Sequence, residues 1–548
     1  MENASLFDTS SDTDSNKDYL KRFKSPRLAI SGSVGLTKLE VMIVDTKEFQ
    51  RLRTIKQLGT AYLVYPSATH DRFEHSLGTL DMANLMVQKI RANEHTEPHE
   101  KYIPPADEQI IRLAALLHDV TNVPFGHTLE DETTILTKHD DDNERFKYFF
   151  EESNLGQILQ KELTKSQYSR LIKVLRSNRD EMEDLGQDAY ISDIVKNTIC
   201  ADLLDYLRRD TFYCDLYERV GEMLLDYMYI TEYPEKSGAR RLVFRLWKEG
   251  KESKWQEDQS WPRLDLLSEM RDLLRVRFAL GQKVYFHHTK IITSTMIARA
   301  IQEVIHPLPN VAGKKLLKKD LYSMGDEQLL TFLENSGNKV AVNLSSNLHC
   351  RKLHKRLPYE ISSGSAGRSL STDWKKTLLE KYHDNHNNKR KLEDKLADMA
   401  VLEPGDVLIY CPSTDMQLKE ADTLVTWRGG IQELRKVDDD LTSRDINLIL
   451  NSHQALWSLQ VFVSPDATEN KRAHVKRFCQ GILSPSTQEA SREELLDTAF
   501  TELIVEIMKE EGKELQKIDV AKTKVKEKTN LYKDLPPRKE IGNIIKSL

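Results

Sequence analysis

Apolar residues recur about every 3.6 positions through much of the first half of the chain. The pattern is clear in DEQIIRLAALLHD, SQYSRLIKVLRS, NTICADLLDYLRRD and DLLSEMRDLLRVRFAL, and this spacing predicts helices with one buried face. We therefore expect successive helices from about residue 107 to residue 305. One segment, RRLVFRLW, alternates instead and predicts a strand of a short hairpin. The fold class that follows is mainly α-helical.

The pattern changes near residue 400. The segments VLIYC and LWSLQVFVSP have the apolar, β-branched composition of strands, and KRAHVKRFCQGIL follows with helical spacing. Before them, residues 375–400 form a charged helical stretch, and ISSGSAGRSL (361–370) has the composition of a flexible loop. These patterns divide the chain into a disordered polar tail (1–20), a helical core (21–305), a helical extension (306–400) and a smaller α+β lobe for regulation or oligomerisation (401–548).

Composition narrows the class of protein. Of 548 residues, 30% are charged, no apolar run is long enough to span a membrane, and residues 1–20 lack the features of a signal peptide. The five cysteines are scattered without C-x-x-C spacing, which fits a reducing compartment and argues against a zinc ribbon. The net charge of −6 carries no general signature of nucleic-acid binding. We expect a soluble, cytoplasmic protein without a membrane partner.

Four residues in predicted helices suggest metal chemistry. They are His75 in RFEHSLGT, the pair His118 and Asp119 in LAALLHDV, and Asp202 in ICADLLDYLRRD. Two imidazoles and two carboxylates suit a catalytic transition metal with open positions for water and substrate. The pair ends an almost wholly apolar helix, where a cation would offset the cost of burying a charge. Asp205, three residues after Asp202, is an alternative ligand that spacing does not exclude.

The run VDTKEFQRLRTIKQLGTAYLVYPSATHDRFEHSLGT, from Val44 to Thr79, resembles the dNTP triphosphohydrolases of the HD-domain superfamily. These include animal enzymes that also carry a sterile-alpha-motif module, absent from this sequence, and bacterial relatives. The resemblance is dense over 36–139, returns at 201–210 and 274–287, and is looser beyond about 305. It implies an HD-domain helical core with a metal ion held by His75, His118, Asp119 and Asp202.

The resemblance also implies an activity. Metal-activated water would attack the α-phosphate of a dNTP and release a deoxynucleoside and inorganic triphosphate. His127 would be the general acid, Glu130 its orienting partner, and His139 a second active-site histidine. The metal would be Mn, Fe or Zn, with Mg accompanying the nucleotide.

The implied substrate contacts fall into two groups. Gln57 would bond the 3′-hydroxyl of the sugar, while Leu58 and Tyr285 would close the space that a 2′-hydroxyl needs. The residues implied to line the triphosphate channel are Arg72, Tyr206, Asp210 and Arg277. Arginines fit phosphate oxygens geometrically, although Arg277 in LLRVRFAL would otherwise be an ordinary surface charge on a helix.

Three positions depart from the family pattern. The second histidine of H-D-x-x-H is Asn122, a phosphate-contacting lysine after the metal-binding aspartate is Leu203, and an active-site histidine is Gly281. Each departure removes a polar contact to the nucleotide or the water. No metal ligand is lost, so we expect metal binding to persist while rate and substrate preference change.

A second nucleotide site is implied by Asp45, Gln50 and Arg53, which match residues that read a guanine in the family's activator site. The neighbouring Asn-Asp-Pro turn of the family is replaced by Arg27-Leu28-Ala29. We therefore expect a guanine-nucleotide activator and a homo-oligomer, dimeric or tetrameric, with an altered second pocket. Without the resemblance, these three residues would be an ordinary polar helix face.

The favoured function is a dNTP triphosphohydrolase that lowers dNTP pools, for which antiviral or anti-phage defence is a natural use. One alternative is another HD phosphohydrolase, such as a nucleotidase or a phosphodiesterase acting on a signalling nucleotide. The other is a nucleotide-sensing scaffold with weakened activity. An intact set of four ligands together with His127 argues against the scaffold.

Overall fold

The computed structural model describes residues 20–94, 103–138, 142–177, 182–248, 261–307, 312–362, 372–413, 418–437, 440–483, 489–529 and 535–547. Helices dominate these ranges, and four small sheets accompany them. The predicted mainly α-helical fold is therefore confirmed. Residues 1–19 of the predicted tail lie outside the described residues.

The first two thirds of the chain form the helical core. Its α-helices are α1 (Lys38–Val44), α2 (Lys47–Gln50), α3 (Arg72–Glu94), α4 (Pro105–Leu117), α5 (Asn143–Lys147), α6 (Asn154–Glu162), α7 (Lys165–Arg176), α8 (Met182–Leu185), α9 (Ala189–Val195), α10 (Ala201–Tyr213), α11 (Leu264–Leu280), α12 (His288–Ile305), α13 (Asp326–Glu334) and α14 (Lys339–His349). Helix α3 packs against both α4 and α10. The three helices thus form one packed unit of the core.

Local sequence explains where helices α4 and α1 begin. Pro105 occupies the first turn of α4, where a missing backbone N–H costs nothing, and the helix that follows is almost wholly buried. Helix α1 begins at Thr37 with a capping box, in which Glu40 Oε2 accepts from the Thr37 backbone N–H at 2.7 Å. Arg112 of α4 donates to the same Glu40 carboxylate at 2.7 and 2.8 Å. The N-terminal helix is thus tied to the central one.

Shorter turns connect these helices. Turns of 3₁₀ type lie at Arg51–Thr54, Gly59–Leu63, Gly186–Asp188, Met223–Tyr227, Lys318–Ser323, Lys419–Asp422, Leu434–Lys436 and Leu515–Lys517. Turns of π type lie at Thr128–Glu132, Tyr148–Glu152, Gly281–Tyr285 and Leu379–His383. The turn Gly281–Tyr285 continues α11 without a break, and Lys419–Asp422 lies in the C-terminal third of the chain.

Two of the sheets contain only two short strands each, β1 (Arg27–Leu28) with β2 (Gly32–Ser33) and β5 (Trp247–Lys248) with β6 (Trp261–Pro262). The predicted hairpin strand in RRLVFRLW is present. Strand β4 (Arg240–Phe244) pairs antiparallel with β3 (Met228–Glu232).

The C-terminal lobe is built on two sheets. Strands β7 (Lys355–Ser362), β11 (Ser458–Val463) and β8 (Val407–Tyr410) form one antiparallel sheet with β11 in the middle. Strands β9 (Leu424–Trp427) and β10 (Gly430–Glu433) form a hairpin, and β9 joins β4 of the core through a parallel bridge. The remaining helices are α15 (Thr372–Leu378), α16 (His386–Met399), α17 (Asp440–Gln454), α18 (Glu469–Leu483), α19 (Glu489–Glu510), α20 (Ile518–Lys528) and α21 (Arg538–Lys546).

The lobe begins earlier than the sequence predicted. A second hydrophobic cluster starts at Leu357 on β7, within the stretch assigned to the helical extension. Ile361 and Ser362, predicted to open a flexible loop, end this strand, while 363–370 lie outside the described residues. The strand was missed because the alternation of Leu357, Tyr359 and Ile361 in KRLPYEIS is short and contains Pro358, which argues against a strand.

Among the residues described, no helix combines the length and the apolar character that crossing a membrane requires.

Candidate metal centre and active site

Four side chains converge where α3, α4 and α10 meet. His75 lies near the start of α3, His118 caps the end of α4 with Asp119 next to it, and Asp202 lies in the first turn of α10. The two Nε2 atoms are 3.3 Å apart, and Asp202 Oδ1 lies 3.1 Å from His75 Nε2 and 3.6 Å from that of His118. Asp119 Oδ2 lies 3.8 Å from both Nε2 atoms. Such spacing fits donors that surround one cation.

The far side of each imidazole is occupied by an acceptor. His118 Nδ1 donates to the Ala115 carbonyl at 2.8 Å, and His75 Nδ1 lies 2.8 Å from Asp205 Oδ2. A proton on Nδ1 leaves the Nε2 lone pair free to face the cation, as outer partners of metal-binding histidines do. Asp205 therefore orients His75 from behind instead of acting as the alternative ligand. Arg209 in turn holds Asp205 at 2.8 and 2.9 Å.

Asp119 is fixed on both oxygens. Arg72 Nη1 donates to Oδ2, and the amide of Asn122 donates to Oδ1 at 2.6 Å. Arg72, predicted to line the triphosphate channel, is 2% exposed and contacts this carboxylate. Asn122, where the family has a histidine, thus keeps the aspartate oriented while it removes an imidazole from the site.

The electrostatics of the centre favour a cation. Burial opposes protonation of His75, but hydrogen bonds with Asp202 and Asp205 outweigh it and raise the pKa to about 10, so a bound metal would take the place of a proton on Nε2. Burial alone would raise the pKa of Asp202, yet hydrogen bonds from His118 and His75 hold it well below its usual range. His75, His118 and Asp202 offer ligand atoms within 4.8 Å of one another. The mixed N/O donor set therefore fits a divalent metal.

Polar side chains cluster beside the centre along α10, and this cluster is named the polar pocket. Tyr206 and Asp210 follow Asp202 at one-turn intervals on the same face. The Tyr285 hydroxyl donates to Asp210 Oδ2 at 2.6 Å, and His70 Nε2 lies 2.8 Å from Asp210 Oδ1. The Arg277 guanidinium lies 5.0 Å from the ring centre of Tyr285 and 5.7 Å from that of Tyr206.

Both tyrosines in this pocket remain protonated. Burial raises the pKa of Tyr206 well above its usual range, and burial together with Asp210 does the same for Tyr285. The phenols can therefore donate hydrogen bonds. With Arg277, they give the pocket the donors that a phosphate or a sugar hydroxyl requires.

The residues predicted to contact the sugar lie on the same network. The Gln57 backbone N–H donates to the His70 carbonyl at 3.0 Å, and its side-chain Oε1 is buried without a hydrogen-bond partner in the described part of the chain. Leu58 is buried and precedes the turn Gly59–Leu63. Gln57 is thus joined through His70 and Asp210 to Tyr285.

The predicted general acid lies on the segment that follows His118 and Asp119. His127 is exposed and precedes the π turn Thr128–Glu132. Its predicted partner Glu130 is buried and accepts from Arg145, itself 1% exposed. His139 lies outside the described residues.

Sequence reasoning missed three contributors to the site. His70 bonds Asp210, Arg145 bonds Glu130, and Glu420 from the C-terminal lobe lies 3.5 Å from Arg277. The only signal for His70 is its position two residues before Arg72 in ATHDRFEHS. For Glu420 the sequence holds no signal, because the contact joins residues 143 positions apart.

At two of the three positions that differ from the family pattern, neighbouring side chains fill the available space. Leu203 is 1% exposed and belongs to the main hydrophobic cluster. A Cβ at Gly281 would lie 3.3 Å from Nε2 of His453 and 3.4 Å from Cδ1 of Leu456, so the lobe occupies the space that a side chain would need.

Of the three residues of the predicted guanine site, Gln50 and Arg53 contact each other near the surface. Gln50 Oε1 accepts from Arg53 Nε at 2.9 Å, and the Arg53 guanidinium stacks 3.4 Å from the ring centre of Phe73. Asp45 is exposed and lies 3.5 Å from Lys24. Of the altered turn, Arg27 and Leu28 form β1.

Comparisons with known proteins identify two family regions and several relatives of the chain. Residues 72–210 match the HD domain and residues 270–489 match the HD associated region. The chain is 31% identical over 331 residues to an uncharacterized protein of Methanocaldococcus jannaschii, covering 60% of this chain and 58% of that protein. It is 28% identical over 357 residues to the deoxynucleoside triphosphate triphosphohydrolase SAMHD1 homolog of Dictyostelium discoideum, covering 63% and 62%.

Other matches are shorter or more distant. The Homo sapiens deoxynucleoside triphosphate triphosphohydrolase SAMHD1 is 40% identical over 113 residues, which cover 21% of this chain and 17% of that protein. The chain thus spans less than two thirds of these relatives. The fold matches the crystal structure of a hypothetical protein from Aquifex aeolicus, with a TM-score of 0.55, 19% identity and coverage of 82% and 99%. The predicted family resemblance is confirmed: residues 72–210 are an HD domain, residues 270–489 are its HD-associated region, and the chain is a relative of the SAMHD1 homologues.

Proposed function

We propose that this protein is a metal-dependent hydrolase that converts deoxynucleoside triphosphates to deoxynucleosides and inorganic triphosphate. One observation carries the proposal: α10 presents a metal ligand, Asp202, and a polar pocket at Tyr206 and Asp210 on one helical face. A phosphate bound beside Arg277 would extend along that face to the metal centre. The names of the SAMHD1 homologues support the same activity.

The chain's own residues orient the reacting groups. A bound divalent metal would make water more acidic and polarise the α-phosphate. His75, His118, Asp119 and Asp202 would hold the metal, while Arg72 and Asn122 keep Asp119 facing it. The orientation is set before substrate arrives, because the outer hydrogen bonds are internal to the protein.

Sugar selection would follow from the network around Asp210. Tyr285 is held by its hydrogen bond to Asp210. Leu58 is buried and follows Gln57, whose backbone N–H donates to His70 of the same network. A 2′-hydroxyl pressed against this wall would lose its hydrogen bonds to water, at a cost of about 1–3 kcal/mol. We therefore propose a preference for deoxyribose and assign the 3′-hydroxyl to Gln57.

Protonation of the leaving group would fall to His127. Its exposure leaves it open to solvent protons, and its place before the π turn keeps it on the segment that follows His118 and Asp119. Cleavage at the α-phosphate leaves an alkoxide on the 5′-oxygen, and a positioned imidazolium supplies the proton that oxygen needs.

Product analysis tests the proposal. Purified protein is incubated with each dNTP and each NTP in the presence of Mn²⁺, and products are separated by ion exchange. We expect deoxynucleoside and inorganic triphosphate, with dNTPs turned over faster than matched NTPs and no products from His118→Ala protein.

Two other results would contradict the proposal. Orthophosphate or a nucleoside monophosphate as product would instead identify another HD phosphohydrolase, the alternative that Leu203 and Gly281 favour. A metal-loaded protein that binds nucleotide without turnover would identify a sensing scaffold. If triphosphate is released, lowered dNTP pools would be the cellular consequence, with restriction of viral or phage replication as its proposed use.

A further inference from the structure

The C-terminal lobe places a carboxylate inside the polar pocket. Glu420, on the turn Lys419–Asp422, is 1% exposed, and its Oε1 lies 3.5 Å from Arg277 Nε. Arg277 also faces the rings of Tyr206 and Tyr285. The turn comes from the lobe, whereas Arg277 and both tyrosines belong to the helical core. The pocket beside the metal centre therefore includes a side chain that the HD domain itself does not supply.

The contact leaves polar atoms of both partners unsatisfied. Nε and Nη1 of Arg277 are buried without a hydrogen-bond partner among the residues described, and so is Oε2 of Glu420. A guanidinium that forms a good pair with a carboxylate usually makes two short parallel hydrogen bonds. At 3.5 Å, Glu420 neutralises Arg277 without using its donors. A ligand with several closely spaced anionic oxygens would pair with those donors better.

Contacts within the lobe hold this turn to the lobe, and the Glu420 side chain holds it to the core. The Glu420 backbone carbonyl accepts from the Thr423 backbone at 3.3 Å and from the Thr423 hydroxyl at 2.8 Å. Two residues on, the carboxylate of Asp422 pairs with Arg435 inside the lobe. The lobe thus has its own ion pair for anchoring the turn, and the Glu420 carboxylate faces the core.

Because both are negatively charged, Glu420 and an incoming phosphate compete for Arg277. Arg277 has unsatisfied donors for an incoming phosphate, whereas Asp210 is engaged by His70 and Tyr285. A second carboxylate at 3.5 Å from that guanidinium repels a phosphate by like charge, and the repulsion is strong because the groups are shielded from water. A ligand gains access to Arg277 only if its own attraction exceeds that of Glu420.

We propose that Glu420 is a specificity-determining residue that competes with the substrate's phosphates for Arg277. A polyphosphate carries enough negative charge to displace the carboxylate, whereas a monophosphate does not. Displacement moves the turn Lys419–Asp422, so occupancy of the pocket is transmitted to the lobe. The inference rests on the proposed function insofar as the pocket is where substrate phosphates bind.

Binding of inorganic triphosphate and inorganic phosphate tests this without requiring turnover. Metal-loaded wild type, Glu420→Gln and Glu433→Gln are titrated with each anion by calorimetry. Glu420→Gln should bind triphosphate about tenfold more tightly than wild type and should gain measurable affinity for phosphate. Glu433→Gln removes one negative charge from strand β10, where Glu433 pairs with Lys436, and should bind both anions as wild type does. Equal or weaker triphosphate binding by Glu420→Gln overturns the proposal.

Hydrogen exchange on the unmodified protein gives an independent test. Triphosphate should accelerate amide exchange in 419–423, because displacement of Glu420 loosens the turn. Unchanged or slower exchange there, under conditions where calorimetry shows saturation, also overturns the proposal. Failure of the proposed function is distinguishable, since it would appear as absent dNTP turnover while the tenfold difference in triphosphate affinity remains.

Discussion

A metal-binding imidazole depends on the hydrogen bond made at its other nitrogen. His75 is fixed by Asp205 and His118 by the Ala115 carbonyl, so both Nε2 atoms point at the same space. The sequence predicted the four side chains that the structure brings together here, because their motifs are specific. It did not predict what Asp205 does, because a spacing of three on one helix suits a ligand and an orienting partner equally well. The position of α3 beside α10 separates the two roles.

At the residue scale, metal binding and proton transfer should be separable. His118→Ala removes a metal ligand and should abolish both bound metal and hydrolysis. His127→Ala should retain the metal and lose roughly 10²–10⁴-fold in kcat, the range of a general acid. Metal content is measured by elemental analysis, and kcat by release of inorganic triphosphate.

His349→Ala is the matched control, since this exposed histidine pairs with Glu334 away from the centre. It should leave metal content and kcat unchanged. Normal turnover by His127→Ala would show that another group protonates the leaving oxygen.

At the element scale, the decisive feature is how closely two helices approach. Gly78 of α3 faces α10, and a Cβ there would lie 2.0 Å from Asp205 Oδ1 and 2.2 Å from Arg209 Nη2. Helical periodicity predicted both helices, but it carries no information about the distance between them. Only glycine lets α3 come near enough for His75 to reach Asp205.

Gly78→Ala should therefore weaken metal binding without removing any ligand. The added methyl group pushes Asp205 and Arg209 away, His75 loses its outer hydrogen bond, and metal affinity should fall about 10–100-fold. Competition with a chelator of known affinity measures the change. Gln88→Ala, at an exposed position on the same helix, should leave the affinity unchanged. Wild-type affinity in Gly78→Ala would mean that α3 shifts without disturbing His75.

The strands show which elements a local sequence pattern predicts and which it does not. VLIYC and LWSLQVFVSP are apolar enough to be recognised, and they pair as β8 and β11. Strand β7 is too polar to be recognised as a strand. Its partner β11 lies about a hundred residues away, so tertiary contacts decide the pairing of the two strands. The same non-local contacts bring Glu420 to Arg277 and His453 to Gly281, which no local pattern anticipates.

At the scale of the whole molecule, the two hydrophobic clusters meet near His354. Leu353 belongs to the first cluster and Leu357 to the second. His354 between them is 2% exposed, and its Nε2 donates to the Gly405 carbonyl at 2.9 Å. Burial lowers the pKa of His354 to about 4, because the charged imidazolium has lost its water.

This histidine should make the protein sensitive to mild acid. Between pH 6.5 and about 4 the unfolded chain binds a proton at His354 and the folded chain does not, so stability falls as pH falls. The difference in pKa corresponds to about 3 kcal/mol over that window. His354→Gln keeps a donor for Gly405 and should lose this part of the pH dependence. Urea unfolding at pH 7 and pH 4.5 compares the two proteins, and equal losses of stability would exclude His354 as the cause.

Assembly is the last property at this scale, and it concerns Asp45, Gln50 and Arg53. A guanine edge needs an acceptor opposite N1–H and N2–H₂ and a donor opposite O6, which a carboxylate and a guanidinium supply. Asp45 is exposed and its pairing with Lys24 is weak, so a ligand can displace it at little cost. A nucleotide that binds the assembled form better shifts the population toward it. We expect GTP or dGTP to increase the mass measured by light scattering.

Asp45→Ala should reduce this response while metal content stays at the wild-type level, because Asp45 lies on α1's C-terminal cap and not among the ligands. Lys47→Ala, an exposed change two residues away, is the control and should respond as wild type does. Because Arg27 and Leu28 form part of a short strand where the family has a turn, a second activating nucleotide should add little to the effect of GTP. A mass that ignores both nucleotides in wild type and in Asp45→Ala would identify these three residues as an ordinary polar surface.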